Sequence, residues 1–220
     1  YIGTGIMSTP ELSLMEVQKE LVKFGEITFR MLGFLNELLF EKSKKGHNLK
    51  MDRLHKYEEI TDRMEVEISD YLLTVSQGEI SDDAARRVRA MLNIVSELEE
   101  EGDLFYQMSL TFERKVKSKA WFTLEQRASL QNMLEILESC FKNTLANLGA
   151  RYEDINLPES EELEKALNDL RDKVRKEHLD AMGDKNYNID SGMIYADLYS
   201  QIEKVGDHLF KVNEAISGKI

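Results

Sequence analysis

IVSELEEEGDLFYQMS, residues 94–109, and DLYSQIEKVGDHLFKVN, residues 197–213, share one pattern: E-x-x-G-D. The first copy is Glu99, Gly102 and Asp103. The second, 104 residues on, is Glu203, Gly206 and Asp207. Both lie in long helical patterns, so the repeat marks a duplicated unit with two carboxylates one helical turn apart.

Six helices follow from the apolar spacing around these copies. The first opens at Thr9-Pro10, a cap residue followed by proline at the first helical position. Its seam is Leu14, Val17, Leu21, Phe24, Thr28, Met31, Leu35 and Leu38, and it is predicted to end at Lys44-Lys45-Gly46. The second spans about 49–76. The third is capped by Ser81 and extends toward Lys119. Thr123-Leu-Glu-Gln126 reads as a capping box opening the fourth, which runs to Ala150. The fifth covers about 159–182 after a loop at 152–158, and the sixth about 192–217 after a polar segment at 183–191. No strand pattern competes. The expected fold is all-α: two tandem three-helix bundles packed like spectrin repeats, with 1–12 as an extension, 13–120 as the first repeat and 121–220 as the second.

Composition fits that class. Lone Cys140 excludes an internal disulfide framework and is expected in the core; only Pro10 and Pro158 interrupt 220 residues. A net charge of −12 argues against nucleic acid as a partner. Two basic groups, Lys42, Lys44, Lys45, Lys50, Arg53 and Lys56, and Arg86, Arg87 and Arg89, read as a solvated loop and helix face. The alternative is a weak docking surface. No run approaches a membrane-spanning length, and no secretory signal is present. The chain starts at Tyr1 rather than Met and is expected to be a fragment of a longer protein. Trp121, beside Phe122 at the junction of the halves, is expected to anchor packing.

The candidate site residues are acidic. Glu99 and Asp103 share a helix face, as do Glu203 and Asp207, and each glutamate continues an apolar seam. A mid-helix glycine costs roughly 1 kcal/mol against alanine, so Gly102 and Gly206 imply a close approach by a neighbouring helix or a ligand. The second helix adds Glu58 and Asp62. Setting Met64 on Leu170 and Ile68 on Val174, an offset of 106, places Glu164 and Asn168 opposite them. One half thus offers Glu58, Asp62, Glu99 and Asp103; the other offers Glu164, Asn168, Glu203 and Asp207. Converging carboxylates repel unless solvated, protonated, paired with bases or bound to a cation. Such oxygen ligands suit divalent Mg, Ca or Mn, or iron. The competing reading is a set of acids facing water. His55, one turn before Glu58, could join the first set. None of the four histidines forms E-x-x-H, and no nucleophile elbow, phosphate loop or CxxC is present, so no catalysis is expected.

These residues carry a resemblance. Residues 198–214, LYSQIEKVGDHLFKVNE, resemble the signature of PhoU-type domains, E-R-I-G-D-H with a Glu seven residues after the Asp, at Glu203, Gly206, Asp207, His208 and Glu214. Residues 95–106 resemble it at Glu99, Gly102 and Asp103. Residues 57–72, YEEITDRMEVEISDYL, resemble the family's E-x-x-x-D helix. With ALNDLRDKVRKEHL at 166–179, and TPELSLMEVQKEL at 9–21 as linker and first helix, the wording is most similar to the cytoplasmic C-terminal domain of bacterial Na/Pi cotransporter family proteins.

The resemblance implies a regulatory, non-enzymatic role in phosphate uptake on the cytoplasmic side of the membrane. The partner would be a transporter membrane domain, upstream in the same chain or separate, and the acidic helices would hold metal. A free-standing cytoplasmic adaptor is the alternative, and a metal-binding or scaffold bundle a third. A homodimer is permitted. Gln107 and Lys211 stand where the family often has Asn, and Asn168 replaces an acid. Lys211 could itself fill a cation's place, so the first half is the more credible metal site.

Overall fold

Each of six helix starts carries a side chain that accepts an N–H from the first turn, and these caps set the element boundaries. The computed structural model describes residues 9–41, 43–150, 154–183 and 187–218. The helices are α1 (Pro10–Phe40), α2 (Lys44–Ser76), α3 (Asp82–Lys117), α4 (Leu124–Gly149), α5 (Leu157–Ala181) and α6 (Ile189–Ile216). Their caps are Thr9, Ser43, Ser81, Thr123, Asn156 and Asn188. At Thr123 the expected box is complete, with the Gln126 side chain accepting from the Thr123 amide at 3.0 Å.

One boundary differs from the sequence reading. Lys44-Lys45-Gly46 opens α2 rather than closing α1. The Ser43 hydroxyl accepts the Gly46 amide at 3.0 Å, while Glu41 accepts the Ser43 amide at 2.8 Å and receives Lys50 at 2.6 Å. The turn between α1 and α2 is therefore built by Glu41 and Ser43, and glycine stands where the Glu41 carboxylate lies over the backbone. Helix α5 likewise begins earlier than expected, with Pro158 in its first turn, and α6 begins at Ile189. Residue Lys42 and the expectations for 1–8, 151–153 and 184–186 lie outside the described residues.

Helices α1–α3 pack on one another, and so do α4–α6. The two groups join along α3 against α6, the most extensive helix pairing, and along α1 against α4. Apolar side chains fill the joint. Phe141 of α4 stacks on Phe105 of α3 and Phe29 of α1, with ring centroids 5.9 and 5.5 Å away. Phe105 and Phe141 are fully buried in one apolar cluster and Phe24 in a second, and each cluster takes side chains from both halves. Phe122 is the anchor at the junction, 3% exposed; Trp121 is 58% exposed, against the sequence expectation. The Trp121 backbone amide donates to the Ser191 hydroxyl at 3.2 Å, which fixes the main chain and leaves the indole outside. Cys140 is in the core, its thiol pushed up to about 12 by burial.

The two halves repeat one close approach. A Cβ on Gly102 would lie 2.6 Å from the Thr61 hydroxyl, and a Cβ on Gly206 would meet the Leu167 side chain. Thr61 and Leu167 correspond at the offset of 106, Gly102 and Gly206 at 104. Helix approach is thus the reason for both glycines. It brings the acids of α2 and α3, and those of α5 and α6, face to face.

Candidate metal centre and its closed counterpart

Because Gly102 lets α3 press against α2 at Thr61, the adjacent Asp62 and Asp103 and, one turn before Thr61, Glu58 converge. Oxygens of Glu58, Asp62 and Asp103 lie within 4.8 Å of one another. Asp62 is exposed, and Glu58 and Asp103 are half-buried. Burial and the Asp62 charge push the Glu58 carboxyl up. Burial, then Asp62 and Glu100, do the same for Asp103. Glu99 stands beside this trio but outside it. Burial, followed by the charges of Asp103 and Glu65, raises its carboxyl to about 7. Burial is the first cause of the rise at Glu58, Asp103 and Glu99, and the neighbouring carboxylates add to it, so negative charge is crowded there, a condition a divalent cation relieves. Three carboxylates within reach of one ion suit a hard, oxygen-preferring metal. His55 joins the rim: Nδ1 is 3.3 Å from Glu58 Oε2, and its ring stacks on Tyr106 at 5.2 Å.

The second half does not repeat this cluster. Among the described residues no comparable group forms around Glu164, Glu203 and Asp207. Arg171, one turn after Leu167 on α5, places Nη1 3.0 Å from Glu203 Oε1. Asn168 donates its side-chain amide to Glu164 Oε1 at 2.5 Å. Burial and Asp207 raise the Glu203 carboxyl while Arg171 opposes them. In place of a third converging carboxylate, the Arg171 guanidinium supplies the positive charge that Glu203 meets. Lys211, the cation expected to do this, reaches the other way: its Nζ is 3.5 Å from Glu97 Oε2 on α3, which His208 Nδ1 also meets at 2.6 Å.

Two residues escaped the sequence reading. Arg171 was hidden because a charge on an exposed-looking helix reads as solvated. Only its position one turn past Asn168 places it against α6. Glu101, inside the first motif, is completely buried beside Thr28, and burial pushes its carboxyl well above the usual range. The second half has Val205 at the equivalent position, also fully buried. That comparison, available in the sequence, was the signal that Glu101 faces the core.

Six helices grouped three and three, joined lengthwise, with acids at the glycine contacts, define the PhoU-like all-α fold. Two solved structures carry it across nearly the whole of both chains. One is the crystal structure of the phosphate transport system regulatory protein PhoU from Streptococcus pneumoniae, at TM-score 0.76 and 16% identity, covering 94% of this chain and 95% of that one. The other is PhoU from Pseudomonas aeruginosa, at TM-score 0.83 and 13% identity, covering 94% and 96%. No family model and no curated protein match the sequence. At these identities the likeness is one of fold, and function has to be argued from the site.

Proposed function

We propose that this chain is a PhoU-like regulatory module of phosphate transport, acting by docking onto a transporter, with one metal site in its first half. The observation that carries this reading is the two-way coverage: the chain and the regulatory protein from Streptococcus pneumoniae match over 94% and 95% of their lengths. The module would bear regulation rather than transport, since among the described residues no helix is long and apolar enough to cross a membrane. The match over 95% of the Streptococcus pneumoniae regulatory protein's length supports an adaptor. The wording YEEITDRMEVEISDYL at 57–72 supports a second reading, attachment to a sodium-dependent phosphate transporter.

Glu58, Asp62 and Asp103 would hold the ion, with Glu99 and His55 beside them. A divalent cation there would tie α2 to α3 and discharge the crowded carboxylates. In cells that carry the gene, deleting it should change the rate of phosphate uptake, and crosslinking should join the chain to a phosphate transporter. Unchanged uptake would refute the role. Alkaline carbonate washing of membranes separates the two forms: an adaptor is released, an attached domain stays.

A further inference from the structure

His47, in the first turn of α2, donates its side chain to the Phe112 carbonyl near the end of α3, and the charges of Glu113, Lys115 and Glu41 reach it. The α1–α2 turn and the α3 C-terminus therefore share one end of the first half. The two stretches, 40–50 and 113–121, hold eight lysines or arginines against two acids in a chain of net charge −12. Lys42, the one residue of these stretches outside the described ones, adds to the positive side in the sequence.

Ion pairs take up part of this charge. Lys50 meets Glu41 at 2.6 Å and Glu37 at 3.6 Å, Lys117 meets Glu113 at 2.9 Å, and Arg114 meets Asp197. Lys115 turns inward over the Phe122 ring, 4.9 Å from its centroid. Lys44, Lys45 and Lys119 are exposed, and among the described residues none of them has an acid within ion-pair distance. Phe40, Leu49, Val116 and Trp121 accompany them, each with about half its surface or more in water.

Lys119 stands out by its backbone. At φ 56° it is the only non-glycine in the left-handed region among the described residues. Its N–H bonds the Val116 carbonyl at 3.2 Å and that of Ala120 bonds the Lys115 carbonyl at 3.0 Å, the pair of bonds that usually closes a helix at a glycine. A side chain there strains the backbone where glycine would not. A long cation kept at a strained position points to something it meets outside the fold. Arg86, Arg87 and Arg89 lie at the opposite end of α3, where Arg86 meets Asp83 at 3.2 Å and Asp82 adjoins, so that group has acids of its own.

Lysines set among exposed aromatic and aliphatic side chains suit an anionic lipid surface. The cations meet headgroup phosphates while the apolar tips sink to the acyl boundary. A nucleic acid would use the lysines and leave the apolar side chains in water. We propose that this end of the first half docks on an anionic lipid bilayer, through Lys44, Lys45 and Lys119 with Phe40, Leu49, Val116 and Trp121. The contact goes beyond docking to a transporter, because it is made with lipid and needs no second protein.

Vesicles of equal parts phosphatidylglycerol and phosphatidylcholine should co-sediment the chain, and vesicles of phosphatidylcholine alone should not. Emission of Trp121, the only tryptophan, should shift to the blue on the anionic vesicles. Lys44→Gln with Lys45→Gln should weaken binding about thirtyfold, since each lysine at such a surface contributes a similar step. Lys142→Gln with Lys204→Gln, the same change of net charge away from this end, should bind as the unaltered protein does. Lys119→Gly should weaken binding about fivefold without lowering Tm, which separates lipid contact from a structural role. No binding to either vesicle, equal binding to phosphatidylcholine, equal loss in the two double variants or unaltered binding of Lys119→Gly would overturn the proposal. So would release from the anionic vesicles by a DNA duplex at equal phosphate concentration, which would assign the lysines to nucleic acid.

Discussion

Arg171 Nη1 lies 3.0 Å from Glu203 Oε1, and this contact separates the two halves of a duplicated protein. Both partners are largely shielded, at 26% and 12% side-chain exposure, so the pair is partly desolvated. Removing the cation leaves Glu203 facing Asp207 without compensation. Arg171→Ala should therefore destabilise by about 1–2 kcal/mol, less than for a fully buried pair because water still reaches the site. For a chain of this size that is a fall in Tm of roughly 3–6 °C. Adding Glu203→Gln should restore most of the loss, as thermal unfolding of the single and double variants would show.

The first half should respond in the opposite sense, to metal rather than to arginine. Glu58→Gln combined with Asp103→Asn should abolish a metal-dependent rise in Tm, read by calorimetry with and without manganese. The same double substitution should raise the Tm of the metal-free protein slightly, because it removes repulsion between crowded acids. A metal-dependent rise that survives the double substitution would contradict the assignment.

Stability should also depend on pH in a defined direction. Glu99 titrates at about 7 in the folded chain, above its ordinary value of 4.5. A carboxyl raised by folding contributes stability that is present below pH 4.5 and is lost as pH climbs through 7. Glu41, held down at about 2 by Lys50 and by the Ser43 amide and hydroxyl, behaves conversely, its contribution vanishing as pH falls from 4.5 toward 2. Metal-free protein should accordingly be most stable near pH 5 and melt roughly 2–4 °C lower at pH 8, allowing for solvent screening of the half-exposed Glu99. Manganese should flatten the alkaline side of the profile.

Glu101 gives a fourth expectation. A fully buried carboxyl, which burial pushes well above the usual range, is costly where Val205 serves the same place in the other half. Glu101→Leu should stabilise the protein by about 1–2 kcal/mol at pH 7. Chemical denaturation would register it as a higher midpoint with an unchanged slope.

Gly102→Ala should destabilise despite alanine's better helix propensity. Its methyl would press on Thr61 Oγ1 and Cβ, at 2.6 and 3.1 Å, and the Thr61 hydroxyl is engaged with the Glu58 carbonyl at 2.7 Å. Gly206→Ala should be milder, because the atom it meets is the tip of Leu167, which can turn aside. Circular-dichroism melts of the two variants would order them.

The fold was legible because apolar spacing, caps and the repeated glycine contact all report local geometry. Leu14 to Leu38 form a buried seam, and the capping residues at 9, 81 and 123 start helices where they were expected to. The turn at Glu41–Ser43 was misread because lysines followed by glycine signal a helix end unless a serine cap precedes them. Spacing of four paired Glu58 with Asp62 and Glu99 with Asp103, but that Asp103 meets the α2 pair while Glu99 stands outside it follows from the helix contact. What lay beyond the sequence was the partner each charge chooses across helices. Arg171 rather than Lys211 meets Glu203, Lys211 turns to Glu97, and the indole of Trp121 faces out while Phe122 faces in. Those choices depend on the rotation of one helix against another, which no spacing rule specifies.

The central claim is that the duplicated acids have diverged, one set left open to a cation and the other closed by Arg171. Crystals soaked in manganese and measured for anomalous scattering test this directly. The expected result is a peak among Glu58, Asp62 and Asp103 and none beside Glu203. A peak between Glu203 and Asp207, or an empty first cluster at saturating manganese, would contradict the account.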